Sequence, residues 1–160
     1  RGEEFVTRKV TRAVAAIASW HGVTAHLAIA TDAANQRVID RVTGMLANYK
    51  RVAILGLSYK PATSVVEESM GLSVATALAA TGVDVAVHDP SAVCELPAGV
   101  VRHDTALGAY QDAQIVLVAT PWPEYSHLEF HDRIVVDAWN ITLPQGHRRV
   151  LGDHYPWDLK

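Results

Sequence analysis

The sequence predicts an α/β fold, a Rossmann-like doubly wound parallel sheet preceded by two helices, and three observations lead there. No strand pattern interrupts residues 1–49, whereas short apolar runs alternate with helical segments over residues 50–160. The runs RVAILGL (51–57) and QIVLVATP (114–121) are almost continuously apolar, as expected of strands that helices cover on both faces. Strands that alternate with helices pair in parallel, and the right-handed crossover rule leaves few other topologies. We therefore expect a helical segment at 1–49 and a Rossmann-like domain at 50–160.

Two helices are predicted before the sheet. In the first, residues 5–20, apolar side chains recur at helical spacing, and His21-Gly22 ends the helix. The second runs from about Ala25 to Asn48. Its apolar stripe is predicted to comprise Leu27, Ala34, Val38, Val42 and Met45. If that stripe is exposed, a lone monomer would be surprising, because large apolar patches mark interfaces.

Five strands are predicted for the sheet. They are residues 51–57, 83–90, 100–103, 114–121 and 133–139. The helix between the first two is predicted to begin near Val65, because Ser64 and Glu67 have the spacing of a capping box, and to end at Gly82. A short helix after the third strand is predicted to be capped by Asp104. Small residues that indicate close packing of the first of these helices on the sheet are Gly71 and Ala75.

Composition and charge exclude several classes of protein. The 160 residues are 49% apolar and 19% charged, which is ordinary for a globular chain. Residues 1–50 carry seven Lys or Arg against four Asp or Glu, whereas residues 51–160 carry seven against thirteen. An acidic main domain argues against a nucleic-acid partner, which needs a clustered basic face. No run of 18 apolar residues is present, so we expect no membrane partner.

The cysteine content and the amino-terminal residues bear on the location of the protein. The single cysteine, Cys94, excludes an internal disulfide and suits a reducing compartment, so a cytoplasmic location is predicted. The first residues, RGEEFVTRKV, lack the apolar core of a signal peptide and contain no initiator Met. We therefore expect the chain to be a piece of a longer protein. The eight histidines are scattered, which favours surface positions over a metal site.

The stretch VAILGLSYKPATSVVEES carries the candidate site. An apolar strand runs into Gly56, as in a dinucleotide-binding fold, but Ser58, Tyr59, Lys60 and Pro61 follow where further glycines are needed. As an NAD site the motif is therefore weak. A lysine, an aromatic residue and a helix N-terminus at the carboxyl end of a central strand instead predict a site for an anionic ligand. The alternative is a solvated Lys60, with Tyr59 packed under the loop.

The end of the second predicted strand holds an acidic residue. In a dinucleotide fold, an acidic residue about 20 positions after the glycine-rich turn binds the ribose. Here Asp89 lies 33 residues after Gly56 and directly before Pro90. We expect it to cap the turn before Pro90 instead of binding a ribose.

Four motifs in a fixed order carry a resemblance to a known family. GLSYKPATSVVEES, VAVHDP, VLVATPWPEY and VVDAW together resemble the C-terminal domain of the UDP-glucose/GDP-mannose (nucleotide-sugar) dehydrogenases, over about residues 25–145. The resemblance implies that residues 50–160 bind a nucleotide-sugar and that residues 1–49 end the central, dimerising helical domain. In the family, the sugar C6 hydroxyl is oxidised to a carboxylate in two NAD-dependent steps. An N-terminal domain binds NAD, and a central-domain cysteine forms the covalent intermediate.

The resemblance assigns site residues by position. Tyr59 and Lys60 match the family's substrate-contacting aromatic–Lys pair. Trp139 stands where many members have a substrate-binding arginine, and its ring is suited to stacking on uracil or sugar. Glu67 occupies the position of the family's NAD-contacting arginine, so no cofactor-binding residue is expected. No Cys-Phe-Pro motif occurs near residues 3–10, and Cys94 has no basic partner evident in sequence, so no catalytic residue and no metal ligand is assigned.

Taken with the resemblance, the sequence predicts the C-terminal substrate-binding portion of an NAD-dependent nucleotide-sugar 6-dehydrogenase, of the type that converts UDP-glucose to UDP-glucuronate. We expect it to be inactive alone, because the NAD domain and the cysteine nucleophile are missing; whether it is an enzyme by itself is left open. The expected partners are a UDP-sugar and either a second copy or an N-terminal NAD-binding subunit. The alternative is a stand-alone UDP-sugar-binding or dimerising module without catalysis.

Overall fold

A computed structural model describes residues 7–131, 133–141 and 147–150, with the backbone alone at 7–9 and 147–150. The elements in chain order are α1 (Thr7–Trp20), α2 (His26–Leu46), β1 (Arg51–Leu55), α3 (Met70–Ala80), β2 (Asp84–His88), β3 (Val100–Arg102), α4 (Ala106–Tyr110), β4 (Ile115–Val118), a 3-10 helix (Pro123–His127), β5 (Ile134–Asp137) and β6 (His147–Val150). Phe5 and Val6, predicted to start the first helix, lie outside the described residues. None of the helices in the described part of the chain combines the length and the hydropathy that a membrane span requires.

The sheet has six strands in the order β3-β2-β1-β4-β5-β6, and every pair of neighbours is parallel. This confirms the predicted α/β fold with two helices before a doubly wound sheet. All five predicted strands form. The sixth, β6, adds an edge strand beside β5 that the sequence pattern does not predict. The strand order reverses between β1 and β4, which is where open sheets of this type bind ligands.

The two central strands are buried on both faces, as their apolar runs indicate. Residues 52–55 of β1 and 115–118 of β4 are all buried. One apolar cluster packs α2 and α3 against one face of the sheet. A second packs α4, Tyr125 and Phe130 against the other face. The sheet is therefore rigidly supported on both sides at the point where its carboxyl edge carries the candidate site.

The buried face of α2 differs from the predicted stripe. Its buried residues are Ala28, Ile39, Val42 and Leu46. Leu27 and Val38, predicted to lie in the stripe, are exposed, Leu27 by 82%. Val42 is buried as predicted, whereas Ala28, Ile39 and Leu46 each lie one residue, or roughly 100° around the helix axis, beyond a predicted position. The sequence carries apolar residues on both faces, and packing of α2 against α3 selects one of them.

The start of α3 is also corrected. The helix begins at Met70, not near Val65, and its N-cap is Ser69, whose side chain accepts a hydrogen bond from the Leu72 N–H at 3.1 Å. The capping box predicted from Ser64 is therefore wrong. Glu68 has φ of +60°, a left-handed conformation that no helix can continue through, so the helix is confined to the residues after it.

The predictions for the other helix ends are confirmed for two glycines and wrong for the cap of α4. Gly22 and Gly82 follow α1 and α3 with φ of +70° and +80°, which confirms both as helix-ending glycines. The cap of α4 is Thr105, not Asp104, because the Thr105 hydroxyl accepts the Gly108 N–H at 3.0 Å. Asp104 has the higher intrinsic capping preference, but Thr105 is the residue whose side chain reaches the first turn of α4.

Candidate functional site

The candidate site lies at the carboxyl edge of the sheet, around the reversal of strand order between β1 and β4. Three segments meet there: the long loop after β1 (residues 56–69), the segment after β4 (residues 119–122), and Asp89 after β2. The loop after β1 carries Tyr59 and Lys60, and it ends at the N-terminus of α3.

Two glycines allow close packing at the end of β1: Gly56 lies against the segment after β4, and Gly71 lets α3 lie against Gly56. Gly56 has φ of +101°, and a Cβ atom there would lie 2.6 Å from the Thr120 backbone nitrogen. A Cβ atom on Gly71 would overlap the Gly56 carbonyl oxygen and lie 3.2 Å from the Ala119 Cβ. The close helix–sheet packing predicted from Gly71 is therefore confirmed.

The carboxylate of Asp89 is the hydrogen-bonding centre of this edge. Its Oδ2 accepts the backbone N–H groups of Leu57 and Ser58, both at 2.7 Å, and the Ser58 hydroxyl at 2.8 Å. Its Oδ1 accepts the N–H groups of Ser91 and Ala92, at 2.8 and 2.7 Å. The second set confirms that Asp89 caps its own turn. The first set, which the sequence did not predict, attaches the start of the β1 loop to the end of β2.

Asp89 is ionised in spite of its burial. The residue is only 8% exposed, and burial by itself raises the pKa of the carboxyl. Hydrogen bonds from Ser58, Ser91 and Ala92 oppose that effect and outweigh it, so the pKa of Asp89 lies below its ordinary value. The carboxylate is therefore a fixed negative charge whose lone pairs are occupied by the chain's own donors.

The segment after β4 is attached to the same centre. The Trp122 indole N–H donates to the Ser58 Oγ at 3.0 Å and approaches the Asp89 Oδ2 at 3.2 Å. The Thr120 hydroxyl donates to the Ser58 carbonyl oxygen at 2.7 Å. Ser58 thus joins the loops after β1 and β4 across the strand-order reversal. The one signal available in sequence was Asp89 itself, because a carboxylate at the end of a buried strand needs donors close by.

A second pair of contacts holds the 3-10 helix to β2. The Tyr125 hydroxyl lies 3.0 Å from the His88 Nδ1 and donates to the His88 carbonyl oxygen at 3.1 Å. Burial lowers the pKa of His88, while the carboxylates of Glu124 and Asp89 oppose the shift. Burial also raises the pKa of Tyr125 far above its ordinary value. His88, the last residue of β2, and Asp89, the residue after it, therefore hold the 3-10 helix and the β1 loop in place.

The three residues assigned to the substrate lie at this edge but in different settings. Lys60 is exposed, whereas Tyr59 is half-buried, and its hydroxyl is enclosed without a hydrogen-bond partner among the described residues. Burial raises the pKa of Tyr59. Trp139 is half-buried at the end of β5, and its indole N–H is already donated to the Ala119 carbonyl oxygen at 2.8 Å. Lys60 is thus exposed to solvent, whereas the indole N–H of Trp139 is already donated within the chain.

The far end of the β1 loop is attached to the helical segment. Glu68 forms an ion pair with Arg12 of α1, Oε1 to Nη1 at 2.9 Å. Arg12 also pairs with Asp32 of α2 at 3.0 Å, and its hydrogen bond to that carboxylate raises the pKa of the guanidinium. Glu67, the residue at the family's NAD-contacting arginine position, is exposed on the same loop. The loop is therefore held at both ends, with Lys60 between them.

The arrangement does not fit a dinucleotide bound in the usual way of this fold. That mode needs a free acidic side chain for the ribose and glycines that let the pyrophosphate approach the backbone. The Asp89 carboxylate is occupied by donors of its own chain, and Gly56 is followed by Leu57 and Ser58. Above the β1 loop, by contrast, Lys60 is exposed.

Cys94 has a neighbour that the sequence did not reveal. Arg102 of β3 places its Nη2 3.5 Å from the Cys94 sulfur, so the expectation of no basic partner is wrong. The same guanidinium donates to the Ala92 carbonyl oxygen at 2.8 Å and thereby braces the loop between β2 and β3. In the part of the chain that the structure describes, no group of three or more His, Cys, Asp or Glu side chains is placed to hold a metal ion.

The fold and the site together define a Rossmann-like α/β domain in which a lysine-bearing loop stands in place of the glycine-rich turn of dinucleotide-binding folds. Residues 53–144 match the profile of the UDP-glucose/GDP-mannose dehydrogenase family, UDP binding domain. That match covers more than half of the chain, so the chain belongs to this family and contains its UDP binding domain.

Individual relatives agree with this assignment. The chain is 32% identical over 147 residues to the UDP-glucose 6-dehydrogenase AglM of Haloferax volcanii, covering 84% of this chain and 34% of the relative. It is 28% identical over 117 residues to the UDP-glucose 6-dehydrogenase TuaD of Bacillus subtilis, covering 65% of this chain and 25% of the relative. The chain thus spans about a third or less of the length of these relatives.

Solved structures show the same fold. A UDP-glucose dehydrogenase from Pyrobaculum islandicum superposes with a TM-score of 0.77 at 26% identity, over 89% of this chain and 35% of the other. A GDP-mannose dehydrogenase from Pseudomonas aeruginosa superposes with a TM-score of 0.73, over 89% of this chain and 37% of the other. Its identity of 14% supports the fold alone.

Proposed function

We propose that the chain is the C-terminal, substrate-binding portion of an NAD-dependent nucleotide-sugar 6-dehydrogenase of the UDP-glucose type. The observation that supports this most directly is the β1 loop. The loop is held by a hydrogen bond from Ser58 to Asp89 and by the ion pair of Glu68 with Arg12. Between these two points it presents the exposed Lys60 at the strand-order reversal. The UDP-glucose dehydrogenases among the relatives favour this sugar over others.

In this proposal Lys60 binds the diphosphate of the nucleotide-sugar. An ammonium group acts on phosphate as a compact point charge, and it does not require the planar geometry of an arginine. An overall acidic domain gives no general attraction for an anion, so the charge must act locally. Trp139 contributes its ring face to the uracil or sugar, since its N–H is already used.

The first prediction concerns Lys60→Ala. We expect the dissociation constant for UDP and UDP-glucose to rise on the order of tenfold, because one charge-assisted hydrogen bond contributes about 1.5–3 kcal/mol. Titration calorimetry and tryptophan fluorescence with UDP, UDP-glucose, GDP-mannose and NAD measure this directly. The matched control is Lys50→Ala, an exposed lysine directly before β1 at the opposite edge of the sheet. Equal binding by Lys60→Ala and wild type, or no binding by wild type, would contradict the proposal.

The second prediction is that the chain alone does not oxidise UDP-glucose. Oxidation through a covalent intermediate needs a thiolate at the sugar C6 and a bound NAD. The one cysteine of the chain, Cys94, lies in the loop after β2 and contacts Arg102. The guanidinium of Arg102 also donates a hydrogen bond to the Ala92 carbonyl oxygen in that loop. The cofactor and the nucleophile are then supplied by another part of the full enzyme. NADH absorbance is followed with purified chain, NAD and UDP-glucose, and formation above a control without sugar would overturn this prediction.

A second candidate function, a dimerising module, is favoured by one observation. Val10, Val14 and Ile17 of α1 are 57%, 48% and 51% exposed and lie at helical i, i+4 and i+7 positions. Leu27 at the start of α2 is exposed as well. An apolar stripe of this kind suits a second copy of the chain. A dimer in light scattering, together with no binding in the titration above, would favour this function over the first.

A further inference from the structure

The contacts of Asp89 connect the two loops that border the proposed ligand site. Its Oδ2 receives two backbone N–H groups and one hydroxyl from the β1 loop, and the indole N–H of Trp122 from the segment after β4. Its Oδ1 accepts the N–H groups of Ser91 and Ala92 in the turn that follows β2. One buried carboxylate therefore sets the position of both loops relative to β2.

We infer that Asp89 is a positioning residue for nucleotide binding, and that together with Ser58 and Trp122 it holds the β1 loop in the one position from which Lys60 reaches the ligand. This inference rests on the proposed function, because it concerns how that site is pre-organised. Asp89 acts through the loop and not on the ligand, since its lone pairs are occupied within the chain. Trp122 is in the same situation, because its single N–H donor is shared between Ser58 and Asp89.

Lys60 lies so close in sequence to Ser58 that the contacts of Ser58 restrict the position of Lys60. Lys60 is two residues beyond Ser58, and Ser58 is held by four hydrogen bonds that involve its N–H, its hydroxyl and its carbonyl oxygen. A loop released at Ser58 would have to be ordered by the ligand, and that ordering cost reduces affinity. The observed affinity then falls in proportion to the fraction of chains in which the loop is correctly placed.

The test uses Trp122→Phe, which keeps an aromatic ring but removes the N–H donated to Ser58 and Asp89. The control is Gln114→Ala. The Gln114 side-chain oxygen accepts the N–H groups of Lys50 and Arg51, and so it joins β4 to the start of β1 at the opposite edge of the sheet. Both variants thus remove side-chain hydrogen bonds between segments next to β1 and β4. Only the hydrogen bonds of Trp122 border the proposed ligand site.

The first readout is a double-mutant cycle with Lys60→Ala, measured as the dissociation constant for UDP. We expect Trp122→Phe to weaken binding about tenfold in the wild-type background and less than about threefold in the Lys60→Ala background. Gln114→Ala should weaken it by less than about twofold in both. A merely structural role for Trp122 would give equal losses in both backgrounds, and that result would overturn the inference.

The second readout needs no nucleotide and separates this inference from the proposed function. Hydrogen exchange of the amides at residues 57–59 should become faster in Trp122→Phe than in wild type or Gln114→Ala, while exchange in β1 and β4 stays unchanged. Unchanged exchange at 57–59 would overturn the inference even if UDP binds. If wild type binds no UDP, the proposed function fails, and faster exchange would still establish that the contacts of Trp122 with Ser58 and Asp89 hold the loop.

Discussion

Gly71→Ala is expected to destabilise the protein by roughly 3 kcal/mol or more, although alanine is the better helix former. Gly71 lies in the first turn of α3, and a Cβ atom there would overlap the carbonyl oxygen of Gly56. The overlapping atom belongs to the backbone at the end of a buried strand, so no side-chain rotation relieves it. Either α3 moves away from β1 or the turn at Gly56 is distorted. Urea unfolding followed by far-UV circular dichroism gives the change in the free energy of unfolding.

Gly44→Ala is the matched control for this prediction. Gly44 lies in α2, and a Cβ atom there would meet nothing within 4 Å. The usual helix preference then applies, and we expect a gain of up to about 1 kcal/mol. Opposite signs for two Gly→Ala changes in helices of one protein would show that the Gly71 effect arises from packing. A neutral or stabilising Gly71→Ala would mean that α3 does not lie this close to β1.

Asp89→Asn is expected to lower the free energy of unfolding by about 3 kcal/mol at neutral pH. Asparagine has nearly the same shape, but it replaces one acceptor oxygen by an NH₂ group. That group would face N–H donors on whichever side it lies, either those of Leu57 and Ser58 or those of Ser91 and Ala92. Buried donors left without an acceptor account for the loss. Urea unfolding at pH 7 measures it.

The pH dependence supplies an internal control for the same variant. The pKa of Asp89 is lowered in the folded state, so its contribution to stability is present above the ordinary aspartate pKa of about 3.9. The contribution is lost as the pH falls through the lower, folded-state pKa, because the carboxylate is then protonated. The difference between wild type and Asp89→Asn should therefore shrink below about pH 4. A difference that stays constant into acid would show that the ionised carboxylate is not its source.

The two substitutions affect different parts of one arrangement. Gly71→Ala acts on the distance between α3 and β1, whereas Asp89→Asn acts on the loop that joins them. In a dinucleotide fold the glycine-rich turn occupies this place and the acidic residue binds a ribose. Here the close helix–strand contact is kept, but the acidic residue holds the loop instead. The chain thus retains the scaffold of that fold and presents a lysine, Lys60, where the glycines would be.

The sequence alone was sufficient for the fold class, because the signals involved are local. Buried parallel strands appear as apolar runs, and helix-ending glycines such as Gly22 and Gly82 follow from one backbone angle. The close packing at Gly71 was also predicted, since a small residue on the sheet-facing side of a helix permits close approach. The family followed from four short motifs in order, and residues 53–144 match it.

What only the tertiary structure decided depends on residues far apart in the chain. The start of α3 at Met70 follows from the left-handed Glu68, and that residue pairs with Arg12, 56 positions away. The buried face of α2 was selected by α3, and the partners in the centre at Asp89 include residues 31 to 33 positions away. A sequence pattern shows that a buried carboxylate needs donors, but it does not show which donors the fold will bring to it. The physical reason is that periodicity records only neighbouring residues, whereas the site is made by hydrogen bonds between loops that meet after the sheet has formed.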